Sequence, residues 1–293
     1  MINSTNLIIN KDGSIFHLGI KPGELASNVI LVGDPGRVKL IASFFDTILF
    51  ERSNREFVMA TGLYRDMKIS VLATGIGTDN IDIVVNELDT LVNVDFENRA
   101  FESTPKKLNL IRLGTCGSFQ KHVEPGDLVV SKKAYGQDSL MLYYPEFLNM
   151  ALRDNEELLS AKSYFLSNDL GPIQYIAHSS PKLFEYFKEL GHTGITLTAS
   201  GFYGPQGRQL RTKSLPGWDK EFIANYQDSN GNSIYNLEME CSALYGLGGL
   251  LGHECITICL AIAQRSSKNV LSNYKERMKE VIPDVLNCLL QNT

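Results

Sequence analysis

The chain has 293 residues, of which 43% are hydrophobic and 21% are charged, enough for one large α/β domain or two small ones. Its formal net charge of −5 and pI near 5.6 exclude the broadly basic surface of many nucleic-acid-binding proteins. The five cysteines contain no CxxC pair, and no apolar run reaches the length of a membrane span. We therefore expect free thiols and a cytoplasmic protein without membrane or nucleic-acid partners.

The chain begins with a polar stretch, residues 1–15, which predicts a loose N-terminal arm before a domain over 16–293. The first apolar segment after it is FHLG at 16–19. His17 in this segment could contact a substrate hydroxyl, but a lone histidine among apolar neighbours is more often structural. The residues alone leave both interpretations open.

Residues 28–32 form a short apolar run, which predicts a buried strand that leads into GDPGR at 33–37 and then a helix. In the functional interpretation, Gly33 offers its backbone N–H and Arg37 its guanidinium to a phosphate. In the structural interpretation, this is a tight turn with a solvated arginine. Because an arginine in the first helical turn opposes the helix dipole, the pattern slightly favours the phosphate site.

Two further predicted strands end in glycine-containing segments. Residues 68–73 lead into TGIGT at 74–78. The apolar run at 110–113 contains Arg112 and leads into GTCG at 114–117, which predicts a small-residue turn. A cation and a hydroxyl beside such a turn suit an anion site, although an ordinary core strand with a solvated arginine fits equally well.

A helix pattern separates those two strands, and the polar residues 93–107 predict a surface insertion after it. Alternating strands and helices indicate an α/β fold, a single-domain three-layer α/β/α architecture with a central mixed, largely parallel sheet. Ligands of such sheets bind at the carboxyl ends of the strands. Because three glycine-containing segments meet there with Arg37 and Arg112, we expect an anion site at that edge.

The second half of the chain carries two further candidate segments. Phe202, Gln206 and Arg208 share one loop, and their ring, amide and guanidinium suit a flat heteroaromatic ring with carbonyl and imide edges. The alternative is a Gly/Pro-rich surface loop. Glu238 and Glu240 precede a small-residue helix, where a carboxylate could bind sugar hydroxyls or the acids could simply favour the helix dipole. The other elements predicted here are helices over 146–168 and 181–190, strands over 194–200 and 254–263, and a helix over 271–290 that Pro283 bends or divides.

Eight segments, in the order in which they occur, resemble the nucleoside phosphorylases of the hexameric type, and most closely the members that act on uridine. The resemblance runs from about residue 16 to the C-terminal helix, and 93–107 is its main interruption. Each segment is weak alone, but eight in the family's order argue against chance. The segments are FHLG at 16–19, GDPGR at 33–37, NREF at 54–57, TGIG at 74–77, IRLGTCG at 111–117, PGDLVV at 125–130, FYGPQGR at 202–208 and NLEMEC at 236–241.

The resemblance implies a role for each matching position. The implied phosphate ligands are Gly33, Arg37, Arg112 and Thr115, with Arg55 supplied by the neighbouring subunit. The implied ribose ligands are His17, also from the neighbour, and Glu238, Met239 and Glu240. The implied base-binding residues are Cys116, Gly117, Phe202, Gln206, Arg208 and Arg265. The expected catalytic residues among them are Arg112, Gln206, Arg208 and Glu240.

The implied reaction is reversible phosphorolysis of uridine to uracil and ribose 1-phosphate, a step of pyrimidine salvage. The arginines would hold phosphate in line with the sugar, and Gln206 and Arg208 would stabilise charge on the leaving base. No covalent intermediate is needed, so we expect that Cys116 is not a nucleophile.

Three alternatives stay open. A purine nucleoside phosphorylase shares the fold, but purine-specific relatives carry an acidic residue after the last strand, where this chain reads AQRS at 263–266. A nucleosidase should lack the phosphate arginines, and all three are present here. A non-catalytic sensor would bind the nucleoside without turnover. The loop at 202–208 departs from the PGQER-like form of bacterial members, which leaves the preferred base open.

The resemblance implies no organic cofactor and no metal, with inorganic phosphate as a co-substrate. Some relatives hold a monovalent cation between subunits. Glu56 matches one of its ligands, whereas TDN at 78–80 replaces the usual small residues, so a cation stays open. Active sites shared between neighbours imply a homo-oligomer, either a dimer or a hexamer built from dimers.

Overall fold

The computed structural model describes residues 1–219, 221–267 and 269–291. Its strands are β1 (Asn28–Val32), β2 (Thr47–Asn54), β3 (Phe57–Tyr64), β4 (Met67–Ala73), β5 (Val94–Asp95), β6 (Ala100–Phe101), β7 (Asn109–Ser118), β8 (Leu128–Gly136), β9 (Tyr175–His178), β10 (His192–Thr198), β11 (Ile234–Glu238) and β12 (Glu254–Gln264). Its α-helices are α1 (Pro35–Ala42), α2 (Thr78–Asn93), α3 (Pro145–Met150), α4 (Asn155–Ser167), α5 (Pro181–Phe187), α6 (Phe222–Asn225), α7 (Cys241–Leu250) and α8 (Tyr274–Gln291). None of these helices is long and apolar enough to cross a membrane.

One mixed sheet organises the described residues, with the strand order β11-β10-β8-β12-β7-β1-β4-β3-β2 and β9 paired to β8. Its centre is parallel, because β1 pairs with β4 and β7, and β7 pairs with β12. Antiparallel pairs join β2 to β3, β3 to β4, and β8 to both β9 and β12. The prediction of a single-domain α/β fold around a central mixed sheet is confirmed.

Strand β1 shows why the fold is layered. All five of its residues are buried. Val29 and Leu31 point into the apolar cluster that includes α2 and α7, whereas Ile30 and Val32 point into the cluster that includes α1, α5 and α8. A strand that is buried on both faces reads as a continuous apolar run, which is why this element is visible in the sequence.

Strand β7 corrects one prediction, because residues 114–117 form no turn. The strand continues to Ser118, and its backbone pairs with β12, with Thr115 opposite Leu260. It then pairs antiparallel with β11, where Gly117 lies opposite Leu237. A ladder partner on this backbone leaves no room for a turn. The β7–β11 pairing also closes β7, β12, β8, β10 and β11 into a ring, which removes the sheet edge at β11.

Two segments outside the sheet pack on each other. Leu7 and Ile15 are buried in the core although residues 1–15 are mostly polar. The guanidinium of Arg99, between β5 and β6, donates to the backbone carbonyl of Leu7. The first segment is therefore anchored rather than loose, and β5 and β6 form a small antiparallel hairpin within 93–107.

Several further elements differ from their prediction. Strands β2 and β3 were not predicted, and β2 has a mixed pattern because it lies at the edge of the sheet. A 3-10 turn, Ala151–Asp154, separates α3 from α4 within the single helix predicted over 146–168. Helix α8 continues through Pro283 as one element.

Candidate active site

The carboxyl ends of β1 and β4 lie side by side, and β1 ends beside the first half of β7. Leu31 stands opposite Arg112 in the β1–β7 ladder. A Cβ built on Gly33 would lie 3.4 Å from the carbonyl oxygen of Gly75, so the segments after β1 and β4 touch. The structure therefore brings together the backbone of 33–37, the TGIG segment and the arginine of β7 at one edge.

Two guanidinium groups share this edge. Arg37 lies in the first turn of α1, is buried, and donates to the carbonyl oxygen of Leu113 at 2.9 Å. Burial and the nearby charge of Arg112 lower the pKa of Arg37. Thr115 is half-buried three residues further along β7. Arg37 forms no ion pair with a carboxylate among the described side chains, so an anion beside its guanidinium would be stabilised.

Glu240 sits where β11 passes into α7 and is the direct partner of Arg112. Its carboxylate accepts from the Arg112 guanidinium and, with the other oxygen, from the backbone N–H of Gly77 at 2.8 Å. Both side chains of this ion pair are about 95% buried. Burial opposes the charge of Arg112, but Glu240 and then Glu238 outweigh it and raise the pKa of the guanidinium. Arg112 therefore stays cationic.

Glu238 is the second carboxylate, 3.6 Å from Arg112 and almost fully buried. It accepts from the hydroxyl of Thr198 at 2.8 Å and from the backbone N–H groups of Glu240 and Cys241. Burial raises its pKa to about 7, with a further increase from Glu240, while Arg112 acts in the opposite direction. The bonds to Glu240 and Cys241 hold the start of α7 in place.

Met239, Cys116 and Gly117 line the same region. Met239 is half-buried between the two glutamates. Burial raises the pKa of the Cys116 thiol well above its usual range, so this cysteine stays protonated. A Cβ built on Gly117 would lie 3.7 Å from Cδ of Arg265, which places this glycine beside the arginine that follows β12.

The loop after β10 brings Gln206 and Arg208 together. Gln206 ends a 3-10 turn and is 3% exposed, and its side-chain carbonyl accepts from the Arg208 guanidinium. That guanidinium also donates to the carbonyl oxygen of Phe202 at 3.0 Å and lies 3.9 Å above the Phe202 ring centroid. The predicted ring, amide and guanidinium are therefore one cluster.

Arg265 links this cluster to the sheet. Its guanidinium donates to the backbone carbonyl of Gln206 at 2.7 Å. Burial lowers the pKa of Arg265; burial and then Arg265 lower the pKa of Arg208 to about 10. Neither arginine forms an ion pair with a carboxylate among the described side chains. A polar group with negative charge would be stabilised here.

His17 and Arg55 form a separate cluster at the tip of the β2–β3 hairpin. The side-chain amide of Asn54 donates to the carbonyl oxygens of Phe16 and His17. The exposed Arg55 has a left-handed φ of 52°, and its guanidinium lies 5.3 Å from the Phe16 ring centroid. His17 Nδ1 lies 2.6 Å from a carboxylate oxygen of Glu87. No hydrogen bond or ion pair of the described residues joins this cluster to the arginine–carboxylate site.

The residues that the resemblance linked to a cation also lie near the hairpin tip. Glu56 is exposed, and a Cβ built on Gly75 would lie 3.6 Å from its Cγ and overlap the amide of Asn80. Within the described ranges, no group of three or more His, Cys, Asp or Glu side chains could hold a metal ion.

Sequence reasoning missed several residues that hold the site. Gly77 donates to Glu240, Thr198 to Glu238, and Glu87 is bonded to His17. Gly77 belongs to the TGIG segment, and Thr198 ends a predicted strand, so position alone could have suggested both. Glu87 lies on a helix face with no signal of its own.

Comparison with known proteins decides the family. Residues 28–290 match the phosphorylase superfamily. The chain belongs to this superfamily. A solved nucleoside phosphorylase from Trypanosoma brucei, described as showing uridine phosphorylase activity, superposes on this phosphorylase with a TM-score of 0.84 and 31% identity, and covers 97% of this chain and 99% of its own.

Two relatives found by sequence are named for different bases. A uridine phosphorylase from Thermococcus kodakarensis is 30% identical over 258 residues, which is 87% of this phosphorylase and 79% of the relative. A DeoD-type purine nucleoside phosphorylase from Streptococcus suis is 32% identical over 247 residues, 83% of each chain. Because the two identities are nearly equal, the site residues rather than overall similarity must separate the two bases.

Proposed function

We propose that this phosphorylase cleaves uridine by reversible phosphorolysis, giving uracil and ribose 1-phosphate in pyrimidine salvage. The observation that carries the proposal is the cluster of Gln206, Arg208 and Arg265, two arginines without a carboxylate partner around a buried amide. Arg265 follows the last strand of the sheet, where purine-specific relatives carry an acid. The buried free thiols of Cys116, Cys241, Cys255 and Cys259 support a cytoplasmic location.

The phosphate half of the site is built on the edge of the sheet. Arg37 and Arg112 supply buried positive charge, Gly33 supplies a backbone N–H, and Thr115 supplies a hydroxyl. The charge of Arg112 opposes that of Arg37, and a phosphate dianion near both guanidiniums would be attracted to each. We assign to Arg55 of a neighbouring subunit the remaining phosphate contact, because Arg55 is exposed on its own chain.

The ribose half lies at the start of α7. Glu240 is bonded to both Arg112 and the TGIG segment, which supports a role beside the proposed phosphate end of the site. We propose that it accepts hydrogen bonds from the ribose hydroxyls, with Met239 against the sugar ring and Glu238 holding the backbone of this turn. His17 of the neighbouring subunit would reach the ribose from the other side.

The chemical step needs no covalent intermediate. A phosphate oxygen forms a bond to C1′ of the ribose as the bond from C1′ to N1 of uracil breaks, and the electron pair of that bond leaves with the base. The uracil anion then takes a proton from water. Gln206 and Arg208 contact the carbonyl and imide edge of the base and stabilise its developing charge, with Arg265 behind them. Positioning of the phosphate in line with the breaking bond supplies the rest of the rate enhancement.

A turnover panel tests this proposal. The purified protein is given uridine, thymidine or inosine, each with and without phosphate, and release of free base is measured. We expect uracil release that depends on phosphate, with little hypoxanthine. Predominant release of hypoxanthine would establish a purine nucleoside phosphorylase, the candidate that the Streptococcus suis relative favours. Base release without phosphate would refute the phosphate roles of the arginines, and binding without turnover would indicate a sensor.

A further inference from the structure

Trp218, the only tryptophan of the chain, lies outside every role assigned above. It belongs to a 3-10 turn, Pro216–Asp219, between the loop after β10 and strand β11. A Cβ built on the preceding Gly217 would lie 2.8 Å from the carbonyl oxygen of Asp169, so the turn is pressed against the end of α4. The turn that contains Trp218 is therefore closely packed against the neighbouring backbone.

The indole supports the loop that carries the proposed base-binding residues. Gly207 has a left-handed φ of 67°, and a Cβ on it would overlap Cβ and Cγ of Trp218. Only a glycine permits this approach. Gln206 and Arg208 flank Gly207 directly, so the backbone between them rests on the tryptophan.

The same indole faces Arg265. The guanidinium carbon of Arg265 lies 5.9 Å from the ring of Trp218, within the range of a cation–π interaction. Arg265 in turn donates to the backbone carbonyl of Gln206. The ring of Phe119, which follows β7, lies 6.5 Å away. Trp218 thus contacts the two groups that hold Gln206 in position: the backbone of its own loop at Gly207, and Arg265.

A cavity of about 700 Å³ adjoins these contacts and is lined by Trp218, Arg208, Arg265 and Phe119 among others. Neither arginine has a carboxylate partner among the described side chains. Free space beside these two guanidiniums would let their side chains rotate away from the base. The indole face limits this movement by packing against one of them.

We propose that Trp218 is a positioning residue for base recognition. It holds the loop of Gln206 and Arg208, and the guanidinium of Arg265, in the positions from which they contact the leaving base. The proposal rests on the proposed function, because it concerns the base end of the same site. Trp218 acts through these side chains and does not itself contact the substrate. The phosphate end, on β1 and β7, does not depend on it.

Substitutions test whether the aromatic face matters. Trp218→Leu keeps an apolar side chain without a π face, and Trp218→Phe keeps a ring. We expect Trp218→Leu to lower kcat/KM for uridine by about 10- to 100-fold, because misplacement of catalytic groups is costly, with the KM for phosphate unchanged. Trp218→Phe should recover most of this loss. Equal damage to the uridine and phosphate parameters, or no rescue by phenylalanine, would overturn the positioning role in favour of a structural one.

Fluorescence of the wild-type protein gives a second test that needs no substitution. Since the chain has one tryptophan, its emission reports this position alone. We expect uracil to change the emission saturably, over the concentrations at which it inhibits turnover, while phosphate alone leaves it unchanged. Unchanged emission at inhibitory uracil would overturn the proposal. If the wild-type protein fails to release uracil at all, the proposed function itself fails, which is a different result from normal turnover by Trp218→Leu.

Discussion

At the scale of single residues, Arg112 connects the two halves of the site. Its guanidinium faces the edge where we place the phosphate, and it is also the counter-ion of Glu240 and Glu238. All three side chains are buried, so each charge depends on the others. A change at any one of them alters both chemistry and stability.

Replacement of Arg112 should separate these two effects. Arg112→Ala removes a phosphate ligand, and we expect phosphate-dependent turnover to fall by about 10²- to 10³-fold. It also leaves two buried carboxylates without a counter-ion, which should lower the free energy of unfolding by about 3–5 kcal/mol. The double variant Arg112→Ala/Glu238→Gln should regain part of the stability, measured by urea unfolding, and none of the turnover. Near-normal turnover by Arg112→Ala would contradict the assigned role.

Glu238 should make stability depend on pH. Its pKa is about 7 in the folded protein, against 4.5 for an exposed glutamate, so over the pH range between these values the folded chain keeps a proton that the unfolded chain releases. The free energy of unfolding should therefore fall as pH rises from about 4.5 to about 7, by about 3 kcal/mol. Glu238→Gln removes this titration, so its stability relative to wild type should rise across that window. Parallel pH profiles of the two proteins would refute the explanation.

At the scale of elements, α7 illustrates how glycines differ within one helix. Gly246 and Gly248 face the core, where a Cβ would meet Met141 and Cys255 respectively. Gly249 has no atom within 4 Å of its Cβ position and is exposed. The first two are required by packing, whereas Gly249 only weakens the helix.

Gly249→Ala should therefore stabilise the protein by about 0.5–1 kcal/mol, because alanine loses less conformational entropy in a helix. The matched control is Gly248→Ala, which should destabilise by about 1–3 kcal/mol because its methyl group overlaps Cys255. Thermal unfolding of both variants checks the pair. Destabilisation by Gly249→Ala, or tolerance of Gly248→Ala, would show that the packing around α7 is not as described.

The elements that the sequence predicts best are the buried ones. The ranges predicted for β1, β4 and β12 agree with the structure to within a residue, because strands covered on both faces read as apolar runs. Edge strand β2 has an irregular pattern and escaped prediction. The turn predicted at 114–117 was wrong, because glycines there suggest a turn although the segment continues strand β7. Gly114 is needed for packing instead, since a Cβ there would overlap the Arg112 guanidinium.

At the scale of the whole molecule, one chain carries two groups of candidate site residues. Arg112, Glu240 and Gln206 lie on or beside the central strands, whereas His17 and Arg55 lie at the tip of the β2–β3 hairpin. The motifs in the sequence suggested all five. The Arg112–Glu240 pair could not be predicted from them, because its partners lie 128 positions apart and meet only when β7 and β11 close the ring.

A mixing experiment tests whether neighbouring subunits complete each site. Arg55→Ala and Gln206→Ala should each be nearly inactive alone. Co-expressed, they should regain turnover, because a mixed dimer holds one site with both residues intact. Random pairing predicts about a quarter of wild-type turnover. Absence of recovery, with mixed dimers confirmed by two affinity tags, would place Arg55 and Gln206 of each site on the same chain.

The ring of strands has a consequence for amide hydrogen–deuterium exchange. Strand β7 has hydrogen-bonded neighbours on both sides, in β1, β12 and β11, so its amides can exchange only when the whole domain opens. The loop at 201–208 has no such ladder, and its amides should exchange by local opening. The β7 part of the proposed phosphate site would then stay closed until the domain unfolds. The loop at 201–208, beside the proposed base site, would open locally and much more often.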